Sequence, residues 1–407
     1  MSSSLTDPRA TTLAPAPAAG QAAAPKGQWL TYGDPIRLLG VVCVVVGHVA
    51  DMQMFRLPPT TAQWWVCDVV NALCRWAVPL YIMLSGAILL APERNRPIGQ
   101  WYRHRLTHLG VPLLFWSIFY TYFGLYYTGW VASPHDAWLN LLRGSPYPHI
   151  YFFVVIFGLS AFTPMLRIFV RNASRGMLVG TTVALLAVAC GSSIADAILR
   201  AQPNAFARFV PFLGFYLLGY VLRDTRLTRR GLAWCIVGAA ASVLLLASAT
   251  GFFTHIEFAA YLAAHGGSAA GWSLPAYPSI SMMAFDFLSP IRILYSACVW
   301  LIFVNVCTKP WPDRGWHRFA VRQLSPATLG IVLVHPMFRE LLHKGTTWHG
   351  EVSAATVGRW LTTHVPATPD WAAMAAGIAI VSALVYLPSA AFVLALRQVP
   401  VIKRIVG

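Results

Sequence analysis

The chain is predicted to be an all-α, polytopic integral membrane protein with about ten transmembrane helices and both termini in the cytoplasm. Three observations predict this. Hydrophobic residues make up 57% of the 407 positions and charged residues only 11%, less than half the roughly 25% usual in soluble domains. The apolar residues fall into runs long enough to cross a hydrocarbon core of about 30 Å. The basic residues recur in short clusters at every second connection, the bias that marks cytoplasmic loops.

The ten runs lie at approximately 33–53, 64–90, 106–128, 148–169, 176–198, 205–222, 231–252, 287–307, 321–343 and 371–396. Connections that follow even-numbered runs hold Arg94, Arg96, Arg103 and Arg105, then Arg167, Arg171 and Arg175. The next two hold Arg223, Arg226, Arg229 and Arg230, and Lys309, Arg314, Arg318 and Arg322. Arg397, Lys403 and Arg404 share their side, whereas residues 253–286 contain neither Lys nor Arg. Pro79, Pro112, Pro164, Pro211, Pro336 and Pro388 interrupt several runs. Such breaks are tolerated where protein or a cavity satisfies the freed backbone, and Ser85-Gly86 reads as a close helix contact. The outer segments 253–286 and 344–370, with their Gly, Ser, Trp and His, are candidates to cap an outer vestibule.

Residues 1–28 are rich in Ala, Pro, Ser and Thr and lack an apolar signal-peptide core, so they read as a disordered cytoplasmic tail. Residues 29–407 then form the transmembrane domain. The net charge of +16 is spread among loops rather than gathered in one patch, which argues against a nucleic-acid partner and for the bilayer itself. The seven cysteines show no CxxC or Cys/His metal spacing and read as small core residues, so no metal is expected. No internal repeat, second soluble domain or glycine-rich phosphate loop is present.

Arg37 and His48 both lie inside the first run, eleven positions apart. Eleven helical steps return to within about 20° of the same face and advance roughly 16 Å. Ionisable groups in lipid are costly and mark pathways or sites. His48 reads as a general base or a nucleophile toward a carbonyl, or as a buried histidine bonded to a backbone carbonyl. Asp51, three residues on, either orients that ring or marks the outer helix end. Arg37 holds an anionic ligand, snorkels to the headgroups or pairs with Asp34. In the second run Asp68, Asn71 and Arg75 form a polar stripe at helical spacing, which needs partners or a ligand if buried. Arg103, Arg105 and His108 stand at the cytoplasmic start of the third run, either as ordinary positive-inside charge or as an anion site. His149 opens the fourth run and His335 stands near the middle of the ninth. Asp286 and Arg292 bracket the start of the eighth, as an ion pair or as contacts to a substrate.

Five blocks in order resemble the acyltransferase-3 family of bacterial multi-pass membrane proteins. Arg37 and His48 reproduce its R-x10-H. VPLYIMLSGAILL, HIYFFVVIFGLSAFTPML, FVPFLGFYLLGYVLR and LSPATLGIVLVHPMF are similar to four further blocks of the family, and together they cover nearly the whole chain after the tail. The chain departs from the family's R-x-x-R at the third span, where it has Arg105-Leu-Thr-His108, and from GIY, where it has Gly330-Ile331-Val332. The resemblance implies a stand-alone enzyme of the bacterial inner membrane that moves an acyl group, usually acetyl from acetyl-CoA, to a hydroxyl of a surface or lipid-linked glycan. It implies His48 as the catalytic residue and Arg37, Arg103, Arg105 and His108 as contacts to acyl-CoA. Asn71, Arg75, His149 and His335 would face the acceptor. The competing reading is a secondary transporter or flippase, although the paired broken helices and repeats common in transporters are missing.

Overall fold

The computed structural model describes residues 30–91, 97–199, 201, 204–274, 286–344, 350–365, 367–400 and 402–406. The expected tail and the loop arginines Arg94 and Arg96 lie outside these residues. Among the described residues the structure is helical, without strands.

Seven helical segments are long and apolar enough to cross a membrane. They are α1 (Gly33–Met54); α2 (Ala62–Cys74) continued by α3 (Ala77–Leu89); α4 (Ile98–Arg105) joined through a π turn to α5 (Val111–Phe123); α7 (Tyr151–Asn172); α8 (Arg175–Leu199); α10 (Arg229–Ala264); and α15 (Asp370–Leu396). A short α6 (Pro134–Leu142) lies between α5 and α7. Expected runs six and eight appear as shorter apolar helices, α9 (Leu213–Leu222) after a 3-10 turn, and α11 (Pro290–Val306). The ninth is α13 (Ser325–Lys344), which follows the five-residue α12 (Gly315–Phe319) and a π turn. It carries Arg339 and Glu340, yet Gly330 to Pro336 are buried without a break. A helix sheathed by protein rather than lipid need not be apolar throughout. The chain closes with α14 (Ala354–His364) before α15, and α16 (Lys403–Val406) after it.

Residues 253–264, expected as loop, are helical instead. At 36 residues, α10 is roughly 54 Å long and overshoots a bilayer core. Its last turns pack Phe258 against Trp272, with ring centroids 4.9 Å apart. Trp272 Nε1 donates to the Leu57 carbonyl at 3.1 Å, and the Leu274 amide to that of Phe55 at 2.8 Å. This segment therefore covers the turn between α1 and α2. The second outer segment likewise contains a helix, α14, opened by a Ser353–Thr356 capping box.

Side-chain bonds gather alternate chain reversals at one end of the bundle. Ser325 Oγ donates to Asp34 Oδ1 at 2.6 Å, and Arg397 Nη1 to the Pro326 carbonyl at 2.8 Å. The chain thus enters α1 and leaves α15 at the same end. Arg167 Nε reaches the Leu89 carbonyl at 2.6 Å, and Arg226 Nη1 that of Val304 at 2.6 Å. Each of these guanidiniums satisfies an orphan carbonyl in the last turn of a neighbouring helix, where the helix dipole also favours a cation. At the opposite end Lys344 Nζ donates to the Tyr127 carbonyl.

Glycine sets one crossing. A Cβ on Gly86 would lie 1.8 Å from the Tyr216 carbonyl oxygen, and one on Gly219 would lie 1.9 Å from that of Met83. α3 and α9 therefore meet backbone to backbone, the small-residue contact that membrane helices use.

Candidate active site

α1 is central: it packs against α2, α3, α13 and α15. It presents His48 and Asp51 one turn apart to a cavity of about 80 Å³. That is room for a few waters or for the reacting end of a larger molecule. Asn71 from α2 and Arg75 directly after it, Tyr81 from α3, His149, Tyr151 from α7 and Arg292 from α11 complete the polar lining.

Asp51 is the hub. Its Oδ1 accepts from Asn71 Nδ2 and from Arg75 Nη2, the latter at 3.1 Å. Its Oδ2 lies 3.8 Å from His48 Nδ1. A carboxylate on the Nδ1 side favours the tautomer protonated there, which leaves Nε2 to accept a proton or attack a carbonyl. Asp51 stands in the last turn of α1 and also faces the His48 ring, so its position fits both readings. Asn71 and Arg75 come from the stripe seen in sequence, and they meet Asp51 because α2 runs back along α1.

Two further histidines join the site. The His335 ring stacks on His48 with centroids 5.3 Å apart and planes at 24°, and His149 meets His335 edge-on at 5.9 Å. His335 is fully buried and its Nδ1 faces the Ile331 carbonyl at 3.2 Å. His149 packs edge-on to Tyr120 at 4.5 Å, and Tyr120 Oη donates to the Leu333 carbonyl at 2.5 Å. Among the described residues no three His, Cys, Asp or Glu side chains converge as a metal-binding group.

The expected donor-side residues stand elsewhere. Arg37 Nη1 donates to Asp34 Oδ1 at 3.1 Å, and the Arg37 carbonyl accepts from Tyr81 Oη at 2.8 Å. Tyr81 thus runs from the inner part of α1 to the cavity wall. The Arg105 guanidinium lies over Trp101, 4.3 Å from the ring centroid, and Arg167 lies 4.4 Å from the same centroid. His108 stacks on His104 at 4.1 Å, and Arg103 is exposed. The π turn Leu106–Gly110, which carries His108, joins Arg103 and Arg105 to α5.

Arg292, read from sequence as an ion-pair partner of Asp286 or a substrate contact, stands in the cavity wall, and what the sequence reading missed is its bond to the second span. Arg292 is 1% exposed, its guanidinium lies 3.7 Å from the Phe287 ring centroid, and its Nε donates to the Arg75 carbonyl at 3.1 Å. The signal was available in Pro79. Proline has no amide hydrogen, so the carbonyl four residues earlier, that of Arg75, needs a donor from another element.

A helical membrane bundle with a histidine–carboxylate pair beside one buried and one half-buried guanidinium defines an integral membrane protein with an intramembrane polar site. The chain belongs to the acyltransferase-3 family: the model for that acyltransferase domain matches residues 31–390. It is a membrane acyltransferase. No curated protein and no solved structure matches the chain.

Proposed function

We propose that the protein is an O-acetyltransferase of the bacterial inner membrane that moves acetyl from cytoplasmic acetyl-CoA to a hydroxyl of a surface or lipid-linked glycan. The observation that carries the reading is His48 in the cavity, with Asp51 on its Nδ1 side and Arg75 and Asn71 on the same carboxylate. His48 Nε2 takes the proton of the acceptor hydroxyl as its oxygen attacks the thioester carbonyl. The tetrahedral adduct collapses with loss of the C–S bond, and the CoA thiolate recovers the proton from the imidazolium. In the relay variant Nε2 itself attacks the thioester and expels the CoA thiolate, the hydroxyl then attacks the acyl-imidazolium with loss of its C–N bond, and the hydroxyl proton passes through the imidazole to the thiolate. Either route uses Asp51 to orient and stabilise the imidazolium.

Arg37 stands roughly 16 Å along α1 from His48, a span that an extended pantetheine arm covers. This supports Arg37, together with Arg103, Arg105 and His108, as contacts to the anionic part of CoA at the inner end. An arginine now paired with Asp34 can exchange that partner for phosphate, for which its fork geometry is suited. Arg75, Asn71, His149 and His335 line or back the acceptor side.

The test uses full-length protein in nanodiscs with radiolabelled acetyl-CoA and a glycan extract of the producing cells. Wild type releases CoA and labels glycan. His48→Ala inserts and melts normally but loses at least about a hundredfold in turnover, within the range for removing an acid–base group. Normal labelling by that variant rejects the assignment. Substrate flux without CoA release would favour a transporter.

A further inference from the structure

The second span is two helices, α2 and α3, separated at Arg75 and Trp76. Its joint is mended from one neighbour. Pro79 leaves the Arg75 carbonyl without its helical donor, and Arg292 Nε supplies one at 3.1 Å. One turn along the same face of α11, Tyr295 Oη donates to the Leu73 carbonyl at 2.9 Å. Trp101 Nε1 does the same for Pro164, reaching the Ser160 carbonyl four residues before it at 3.0 Å. What distinguishes the Arg75 joint is the side chain it carries. The guanidinium of Arg75 is the one that meets Asp51, so the backbone angle at residue 75 sets where that charge points.

We infer that Arg292 is a positioning residue for the His48 site: it donates the hydrogen bond that Pro79 withholds from Arg75 and so aims the Arg75 side chain at Asp51. The inference rests on the reading of His48 and Asp51 as the acyl-transfer pair. Asn71 lies within α2, ahead of the joint, and keeps its own bond to Asp51 whatever residue 292 does. Loss of Arg292 therefore loosens one of the two donors on Asp51 rather than dismantling the site. A buried arginine is a costly way to satisfy one carbonyl, but its rigid, planar Nε–H is held in place by stacking on Phe287.

The test compares Arg292→Met, which has no donor, with Arg292→Gln, which keeps a neutral one, each with and without Pro79→Ala, which restores an amide hydrogen to the helix. CoA release from acetyl-CoA and melting temperature are read on full-length protein in nanodiscs. Arg292→Met is expected to lower kcat at least tenfold with KM for acetyl-CoA unchanged, and Arg292→Gln less than threefold. In the Pro79→Ala background the effect of Arg292→Met should shrink to less than threefold. Equal losses for Met and Gln, or the same Met effect in both backgrounds, overturn the inference. If Arg292→Met does not accumulate as folded protein, recovery of its yield by Pro79→Ala reads the same coupling, and no recovery overturns it. Coupling in melting temperature without coupling in kcat overturns the positioning role alone. Absence of CoA release from every protein, wild type included, overturns the acetyl-CoA reading instead.

Discussion

Asp51 offers the sharpest perturbation, because one carboxylate serves three neighbours. In Asp51→Asn the side-chain oxygen remains to accept from Asn71 and Arg75, so the helix contacts persist while the charge is lost. Two effects follow. The Arg75 contact falls from an ion pair to a hydrogen bond in which only the donor is charged. The imidazolium that forms as His48 takes the proton loses its counter-charge 3.8 Å away. At an effective dielectric of 20 that attraction is about 4 kcal/mol. Arg75 shares the carboxylate and offsets part of it. A net loss of about 3 kcal/mol in the transition state remains, which corresponds to a fall in turnover of roughly a hundredfold. The assay is the initial rate of CoA thiol release in nanodiscs, with melting temperature measured alongside. Asp51 and Arg75 are each only 19% exposed at the side chain, so bulk water cannot replace the lost charge. Turnover within threefold of wild type, at unchanged melting temperature, would refute the role given to Asp51.

The helix crossings yield two further predictions. Gly86→Ala places a Cβ 1.8 Å from the Tyr216 carbonyl, which neither backbone can avoid. Overpacking of this kind costs about 1–3 kcal/mol or more, and a fall in monodisperse yield on size-exclusion chromatography checks it, with Gly99→Ala, which meets no atom within 4 Å, as the control. Trp101→Phe leaves the Ser160 carbonyl without the donor that Pro164 cannot supply and gives Arg105 and Arg167 a smaller ring to stack on. An unsatisfied buried acceptor costs about 1–3 kcal/mol, read as a lower melting temperature that Pro164→Ala partly restores.

Much of the site was legible along single helices and little of it between them. Arg37 and His48 could be related because both stand on α1, where the helical repeat alone fixes their common face. The Asp68–Asn71–Arg75 stripe was visible for the same reason. His149 and His335, on other elements, gave no sign that their rings meet each other and His48, since that depends on how α13 packs against α1. Asp51 was ambiguous because a carboxylate ending a helix and a carboxylate orienting a ring look alike along one helix. One span boundary failed where charge and apolarity part company: His255 and Glu257 end the apolar count although α10 continues to Ala264. The ninth run, expected at 321–343, matches α13 in spite of Arg339 and Glu340.

The same limit applies to the basic residues. Counting them by loop predicts the side of the membrane, which depends on how many Lys and Arg each connection holds. It said nothing of Arg167 or Arg226, whose guanidiniums close the carbonyl ends of neighbouring helices. Proline carries the missing information. Pro79 and Pro164 each specify one carbonyl that must find a donor elsewhere, and in both cases the donor is a buried side chain from another helix: Arg292 in one, Trp101 in the other. Where the bilayer keeps water away, such a proline points to a partner on another element. At Pro79 the partner stands in the wall of the cavity that holds His48, so the requirement that keeps the second span intact also bears on the geometry of the candidate acyl-transfer pair.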